Sequence, residues 1–428
     1  MSVAFVSYVC VIVVPFLRHR PRPDGDPAAF RWHFLVPCLD EEAVIGDTVR
    51  YLRREFPQAD VWVVDDDSFD GTVAEVTRLR DDRVHLVRRR LPAARRGKGD
   101  ALNAGYRALL ASLDDFADPD LVVVAVVDAD GRPAANCLAA CAAEHLFGDP
   151  AVGAVQIDVR MGNRDAGGSW FGRALVRMQD LEFRTAIAAI QLSRRYSGTI
   201  SMGGNGQFTR LTALMTVDDG DSGAPWRGSL LEDFELGVHL LTAGWRTAFT
   251  VDTHVDQEAL PHLRRFLAQR TRWGQGTMQC ARYLRRIWSS RHISTLGAAE
   301  MLYYLAQPWL QLLGTLVYPV PFVLLAVRAS HEPEVVWGWL TGGAWILFVL
   351  YGTFGLLPFL IWGPIYRRRC EHRSGVLRGL GYGVLYALYI LSFYLTSWRA
   401  LCRLVRGHDG WVKTARNAST EAGPVRAP

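Results

Sequence analysis

Apolar residues are spread unevenly over the 428 positions of the chain. In the first third, short β-branched runs alternate with helical periodicity: Phe34-Leu35-Val36, Val61-Trp62-Val63-Val64, Val84-His85-Leu86-Val87, then residues 121–127 and 154–157. Such alternation predicts an α/β domain, a mostly parallel sheet wrapped by helices. In such sheets a ligand lies beyond the carboxyl ends of the strands. The last third reads differently. Residues 301–327, 335–366 and 379–398 contain no charge, and each run meets the roughly 20 residues a helix needs to cross a bilayer. About three C-terminal transmembrane helices are predicted within 306–400, after an interfacial helix over 291–305. Trp and Tyr near the ends of the runs fit an aromatic belt.

Residues 1–17 are also uncharged and predict an N-terminal transmembrane helix. A secretion signal is a poor reading, because the run has no basic start and no small-residue cleavage site. Arg18, His19, Arg20 and Arg22 follow it and place its trailing end in the cytosol. Residues 31–290 are then a cytoplasmic domain large enough for one core, within a multi-pass plasma-membrane protein. Arg367, Arg368 and Arg369 are expected on the same side. A fourth span would put Arg399, Arg403, Arg406, Lys413 and Arg416 outside, against the positive-inside tendency. One run is therefore expected to be re-entrant or split, and 335–366, interrupted by Gly352, Pro358 and Pro364, is the suspect. Residues 401–428 read as a polar tail.

Composition adds two points. The seven cysteines show no paired spacing and read as reduced, buried thiols. Of 48 Lys and Arg residues only Lys98 and Lys413 are lysine, and Lys98 stands between two glycines, where a compact ammonium can reach a phosphate or carboxylate that a planar guanidinium cannot. The arginines at 88–90 and 95–96 read as a solvated or headgroup-facing loop, and nothing points to nucleic acid.

The residues after three of these runs are acidic: Pro37 to Glu42 after the first, Asp65 to Asp70 after the second, Asp128-Ala129-Asp130 after the fourth. Like charges this close repel, and a divalent cation resolves the conflict. Asp128 and Asp130, two apart at the end of an extended run, can present oxygens to Mg²⁺ or Mn²⁺. Gly97-Lys98-Gly99 is not a Walker loop, and Gly203-Gly204-Asn205-Gly206 lacks dinucleotide spacing, which argues against an ATPase or a dehydrogenase. Glu232 and Asp233 open a helical pattern that ends at Gly244. Placed after two leucines, they would be costly to bury unless they line a cleft, where one serves as general base. Gln269-Arg270-Thr271-Arg272-Trp273 offers a phosphate clamp and a flat platform for a sugar ring, or alternatively an interfacial anchor.

In this order the segments 36–42, 65–72, 98–105, 128–130, 203–210, 232–233 and 269–273 resemble the membrane-bound family 2 glycosyltransferases with a GT-A fold, among them cellulose, chitin, hyaluronan and poly-N-acetylglucosamine synthases. The resemblance implies a nucleotide pocket formed by Pro37, Asp40, Glu42, Asp65, Asp66 and Lys98, a metal on Asp128 and Asp130, and Asp233 as the base. It further implies Glu232, Gln269, Arg272 and Trp273 around the diphosphate and acceptor. Asp67 stands where that family often has Gly, and Cys38-Leu39-Asp40 replaces a common small-aromatic-Asn run. The implied reaction inverts the anomeric centre, moving a sugar from a nucleotide-diphosphate sugar, a UDP-sugar first, onto a growing β-linked polysaccharide. The alternative acceptor is a membrane lipid. Few helices are available to enclose a polymer channel, so a partner subunit or a homo-oligomer is the expectation attached to the polymer reading.

Overall fold

The computed structural model describes residues 2–166, 168–218 and 223–408. The tail from 409 onward, with Lys413 and Arg416, lies outside the described residues. Eight strands, β1 (Arg31–Cys38), β2 (Asp60–Asp65), β3 (Val84–Arg88), β4 (Val122–Val126), β5 (Arg132–Pro133), β6 (Val152–Met161), β7 (Gln207–Arg210) and β8 (Arg246–Gln257), form one sheet in the order β3-β2-β1-β4-β7-β6-β8-β5. All five predicted strands are present. The sheet is mixed, however, where a mostly parallel one was expected: β7 runs antiparallel between β4 and β6, and β5 antiparallel to β8. The reason lies in β7, Gln207-Phe208-Thr209-Arg210, which has almost no apolar signal yet is wholly buried. Its Arg210 guanidinium donates to the carbonyls of Phe147 (2.8 Å) and Val152 (3.3 Å), so a polar strand sits at the centre with its donors satisfied.

Alternation along the strands divides the core into two layers. Trp32, Phe34 and Val36 pack with Val123 and Ala125 under the Ile45–Glu55 helix. Leu35 packs with Val122, Val124 and Val126 against Leu102 and Tyr106 of the Lys98–Ser112 helix and Leu236 and Leu240 of the Glu232–Ala243 helix. Register then assembles one edge: Cys38 pairs with Asp65, and Leu35 with Val126, so the loops after β1, β2 and β4 emerge side by side. Because β7 is antiparallel and Gln207 pairs with Val126, residues 203–206 enter that edge from the opposite direction.

Among the described residues three helices are long and apolar enough to cross a membrane: Thr295–His331, Pro333–Cys370 and Val376–Val405. At the N-terminus Ser2–Arg18 is helical, with a shorter apolar stretch over Ser7–Arg18. The 335–366 run is interrupted, although not at Gly352. The non-helical backbone falls at Gly343, whose φ of 107° suits only glycine, while Pro358 and Pro364 lie inside helical segments and Ile361 between those segments keeps helical dihedrals. All seven cysteines are free. Cys38, Cys137, Cys141 and Cys280 are buried as expected, while Cys10 and Cys402 are exposed and Cys370 is half-buried, because these three lie on helices outside the sheet core.

One apolar cluster, including Phe16, Leu181, Phe266, Tyr366 and Tyr386, joins the sheet domain to the C-terminal helices. A buried ion pair sits inside it. Arg270 donates to both oxygens of Glu182 (3.1 and 2.5 Å) and to the Tyr389 hydroxyl (2.9 Å), which itself donates to Glu182 at 2.6 Å. Glu182 opens a π-helical turn, Glu182–Ile187. Breaking such a pair strands a charge at a cost of about 3–5 kcal/mol. Arg270→Met is therefore expected to lower the thermal unfolding midpoint sharply, and adding Glu182→Leu to recover much of the loss; a single variant as stable as wild type would show that the pair contributes nothing.

Candidate active site

The cleft at the carboxyl edge of the sheet has two walls. On the first, the loops after β1 and β2 brace each other. The Ser68 hydroxyl accepts from the Asp40 amide (2.9 Å), Asp40 accepts from the Phe69 amide (2.8 Å), and Glu42 accepts from the Gly71 amide (2.6 Å). Asp40 and Glu42 thus hold loop against loop. Pro37 lies half-buried within β1, beside Val64. Both departures from the family pattern fall at left-handed backbone, Asp40 at φ 52° and Asp67 at φ 68°. Asp and Asn are the non-glycine residues that tolerate it best, so Asp replaces Asn or Gly there without breaking the turn. The Asp67 carbonyl is also gripped by the Arg95 guanidinium at 2.5 Å.

Asp65 and Asp66 end β2 almost without solvent exposure. Asp65 accepts from the Ser68 amide at 3.2 Å, and Asp66 forms an ion pair with Arg89. Burial raises the Asp66 carboxyl above its ordinary range, and Arg95 and Arg89 partly offset this. The arginine loop after β3 therefore supports the acidic edge, and the headgroup-facing alternative does not describe Arg89.

On the second wall, three sequence-predicted residues, Lys98, Glu232 and Asp233, converge on a glycine, and a fourth, Asp128, joins them through Lys98. Lys98, the first residue of its helix, follows Gly97, whose φ of 141° permits the turn. Its ammonium donates to Asp128 at 2.6 Å and to the Gly204 carbonyl at 2.9 Å, and stands 3.7 Å from Glu232. A Cβ on Gly204 would lie 2.8 Å from the Lys98 nitrogen, 3.1 Å from Asp233 Oδ2 and 3.7 Å from Glu232 Oε1. Gly204 is thus the point the charges share, and only glycine leaves room for them. Burial alone would lower the Lys98 pKa, but Asp128 and Glu232 outweigh it and hold the ammonium above its usual value. Burial, then the Asp233 charge, pushes Glu232 up to about 7, and burial raises Asp233 as well.

Glu232 and Asp233 are positioned by the chain before them. Asn103 clamps Trp226 from both sides, accepting from its amide (3.1 Å) and donating to its carbonyl (2.7 Å). Gln279 accepts from the Leu230 amide at 3.0 Å. Gly276 lets the Leu263–Cys280 helix approach so closely that a Cβ there would lie 2.7 Å from Leu231 Cγ. On that same helix the Arg272 charge is near enough to lower the Glu232 pKa slightly against the effect of burial. Trp273, half-buried, meets Phe183 edge-on at 6.2 Å and lies 4.3 Å beneath the Arg270 guanidinium, at the joint with the C-terminal helices. Gln269 is half-buried one turn earlier.

Among the described residues no group of three His, Cys, Asp or Glu side chains gathers into a ready-made metal site. The Asp128 carboxylate is about one-third exposed and already faces a cation, Lys98, while Asp130 is buried and accepts from the Glu258 amide at 3.0 Å. This donor set fits a small hard cation that takes one or two carboxylates and completes its shell with water and the phosphates of a ligand. Sequence reasoning missed Gly204, Asn103 and Arg270 as site determinants. Glycine spacing gave no signal for the first, and the other two act through contacts far along the chain.

The charge balance of this wall predicts a pH effect. Folding raises the pKa of Glu232 from its ordinary 4.5 to about 7, so the stability this group permits is fully present below about 4.5 and is lost as pH rises through 7. Lys98→Met removes the opposing charge and raises the carboxylates further. The variant is expected to match wild type in thermal unfolding near pH 5 and to fall progressively below it as pH rises past 7; equal melting at every pH would contradict the assigned pairing.

Known proteins bear on this geometry. The family model described as glycosyltransferase-like family 2 matches residues 31–276, more than half of the chain and the whole of the cleft. The β-monoglucosyldiacylglycerol synthase of Synechocystis sp. is 31% identical over 256 residues, covering 58% of this chain and 48% of that protein. The chain thus spans about half the length of that curated relative. A solved mannosyltransferase from Pyrobaculum calidifontis, in complex with GDP-Man and Mn²⁺, superposes with a TM-score of 0.53 at 18% identity, over 90% of this chain and 96% of that one. That likeness extends the GT-A fold match into the C-terminal helices. With the matched segment containing every acidic residue of the cleft, Lys98 and the helix that begins at Glu232, the chain belongs to the glycosyltransferase-like family 2.

Proposed function

We propose that this protein is an inverting glycosyltransferase that moves a sugar from a nucleotide-diphosphate sugar, a UDP-sugar first, to the hydroxyl of a membrane lipid. The observation that supports the chemistry is the convergence of Lys98, Glu232 and Asp233 on Gly204, with Asp128 held on the Lys98 ammonium, a cleft with one ammonium among three carboxyl groups. Asp128 and Asp130 would hold Mg²⁺ or Mn²⁺, and the ion, when bound, supplies positive charge to the departing diphosphate. Pro37, Asp65 and Asp66 line the side given to the nucleoside, where Arg89 keeps Asp66 in place. Asp40 and Glu42 shape that side through the two loops.

Asp233 takes the proton from the acceptor hydroxyl as its oxygen attacks the anomeric carbon opposite the diphosphate, through an oxocarbenium-like transition state. A raised pKa makes Asp233 a stronger base. Burial raises both carboxyls of the pair, Glu232 to about 7, and the two titrate together. Arg272 adds positive charge on the diphosphate side, and Gln269 and Trp273 contribute to the acceptor side.

A lipid acceptor is favoured over a polysaccharide by two observations. The Synechocystis relative is named for a glucosyl-diacylglycerol product, and among the described residues three helices are long and apolar enough to span, few for a polar channel in a medium where no backbone group can go unpaired.

Two tests follow. Asp233→Asn is expected to keep nucleotide-diphosphate binding and to lower the transfer rate about 10³-fold, within the usual range for a positioned base; an active variant would remove Asp233 from that role. Membranes containing the protein, supplied with a panel of labelled nucleotide sugars, are expected to yield label that extracts into organic solvent. Label retained as long polymer would overturn the lipid assignment and restore the polysaccharide reading.

A further inference from the structure

We propose that the Val376–Val405 helix does not cross the membrane but lies along its surface, one face on the sheet domain and the other in lipid. By this placement the C-terminal region enters the bilayer through the hairpin of Thr295–His331 and Pro333–Cys370. Four observations support it.

Exposure separates the helices. In the hairpin Trp345, Ile346, Leu347, Phe348, Val349 and Leu350 are all exposed in succession, apolar all the way round, as a helix surrounded by hydrocarbon must be. On the Val376–Val405 helix the exposed large apolar residues, after Val376 at its first position, are Leu377, Leu380, Val384, Leu388, Leu391, Leu395, Trp398 and Val405, with Arg378, Gly381, Arg399 and Cys402 also exposed. From Leu377 onward the apolar steps of three, four and seven trace a single stripe.

The opposite face rests on the sheet domain from end to end. Near its start Tyr382 meets Arg177 at 3.3 Å, at its middle Tyr389 meets Arg270, and near its end Arg403 donates to Gln275 at 2.8 Å while Ala400 packs on Met278. Tyr382 and Arg403 are about 30 Å apart along a helix rising 1.5 Å per residue, so a transmembrane orientation would carry one of these contacts across the bilayer. Their partners do not allow that. Leu263–Cys280 carries Arg264, Arg265, Arg270 and Arg272 and reaches the backbone before Glu232, and charges of this number are expensive in hydrocarbon.

The helix also touches both limbs of the hairpin. At one end its Gly383 nitrogen would lie 2.1 Å from a Cβ on Gly363, and at the other Ser397 donates to Gln311 (2.5 Å) and Trp398 to Thr315 (2.8 Å). Finally, Arg373 and Arg378 flank one end and Arg399, Arg403 and Arg406 the other. Lying flat, the helix leaves both clusters on the side of Arg367–Arg369, at the level of anionic headgroups, which removes the conflict with the positive-inside tendency. The placement does not depend on the transfer reading. If that reading holds, the helix bearing Gln269, Arg272 and Trp273 is held at headgroup depth, where a lipid hydroxyl lies.

The test uses the full chain in sealed phosphatidylcholine–phosphatidylglycerol vesicles, with Cys10, Cys370 and Cys402 replaced by serine. Arg373→Cys and Arg406→Cys are expected to react with a membrane-impermeant maleimide from the same side as Asp115→Cys in the sheet domain. Nitroxides at Leu377→Cys, Leu388→Cys and Leu395→Cys are expected at one shallow depth. Opposite-side reaction at 373 and 406, or a deep position at 388 between two shallow ones, would overturn the proposal. Should the serine replacements prevent folding, an epitope after Pro428 in the otherwise native chain gives a second readout: antibody access from the domain side supports the placement, and access from the far side contradicts it.

Discussion

The contact on which the cleft depends is the Lys98 ammonium, 2.6 Å from Asp128 and 3.7 Å from Glu232. Without it three carboxyl groups would face one another in a site sheltered from water, and the repulsion would be met by protonation or by opening of the cleft. Everything nearby is arranged to keep that ammonium in place. Gly97 turns the chain into its helix, Gly204 offers a carbonyl and no side chain, and Asn103 fixes the strand of chain leading to Glu232. One positive charge does not balance three negative ones, which is why the cleft suits a ligand that arrives with a divalent cation.

The same arrangement ties the site to the membrane part. A single helix, Leu263–Cys280, touches the backbone before Glu232 through Gly276 and the Val376–Val405 helix through Arg270, Gly274 and Gln275. The Arg270–Glu182 pair makes this joint specific in direction, because its bidentate geometry and the Tyr389 hydroxyl accept one alignment of the two helices. On the proposed reading, the residues assigned to the acceptor are mounted on the element that also packs against the C-terminal helices.

Much of this was legible in the sequence where physics is local. The runs that became β1, β2 and β4 announce themselves because strands buried on both faces are almost wholly apolar, and the acidic residues after them fall where strand ends must be. The helix opened by Glu232 and closed at Gly244, with φ 101°, was equally readable. β7 was not, since a buried strand made of Gln, Phe, Thr and Arg gains its stability from hydrogen bonds to distant carbonyls, which leave no pattern in neighbouring residues. For the same reason the sequence could not reveal that Arg89 supports Asp66, or that Asp40 and Glu42 are engaged across two loops. The Val376–Val405 run shows the limit most clearly. Length and lack of charge describe a membrane span and a surface-bound helix alike, and only its partners along one face distinguish them.

The central claim is that the cleft accepts a diphosphate only with a cation that offsets Asp128, Glu232 and Asp233. It is tested most directly by titrating a nucleoside diphosphate into the full-length protein with Mn²⁺ present and again in excess chelator, following heat or fluorescence. The account predicts binding that is tight with the ion and weakens by about 100-fold or more, roughly 2.7 kcal/mol, without it. Equal affinity under both conditions would contradict it.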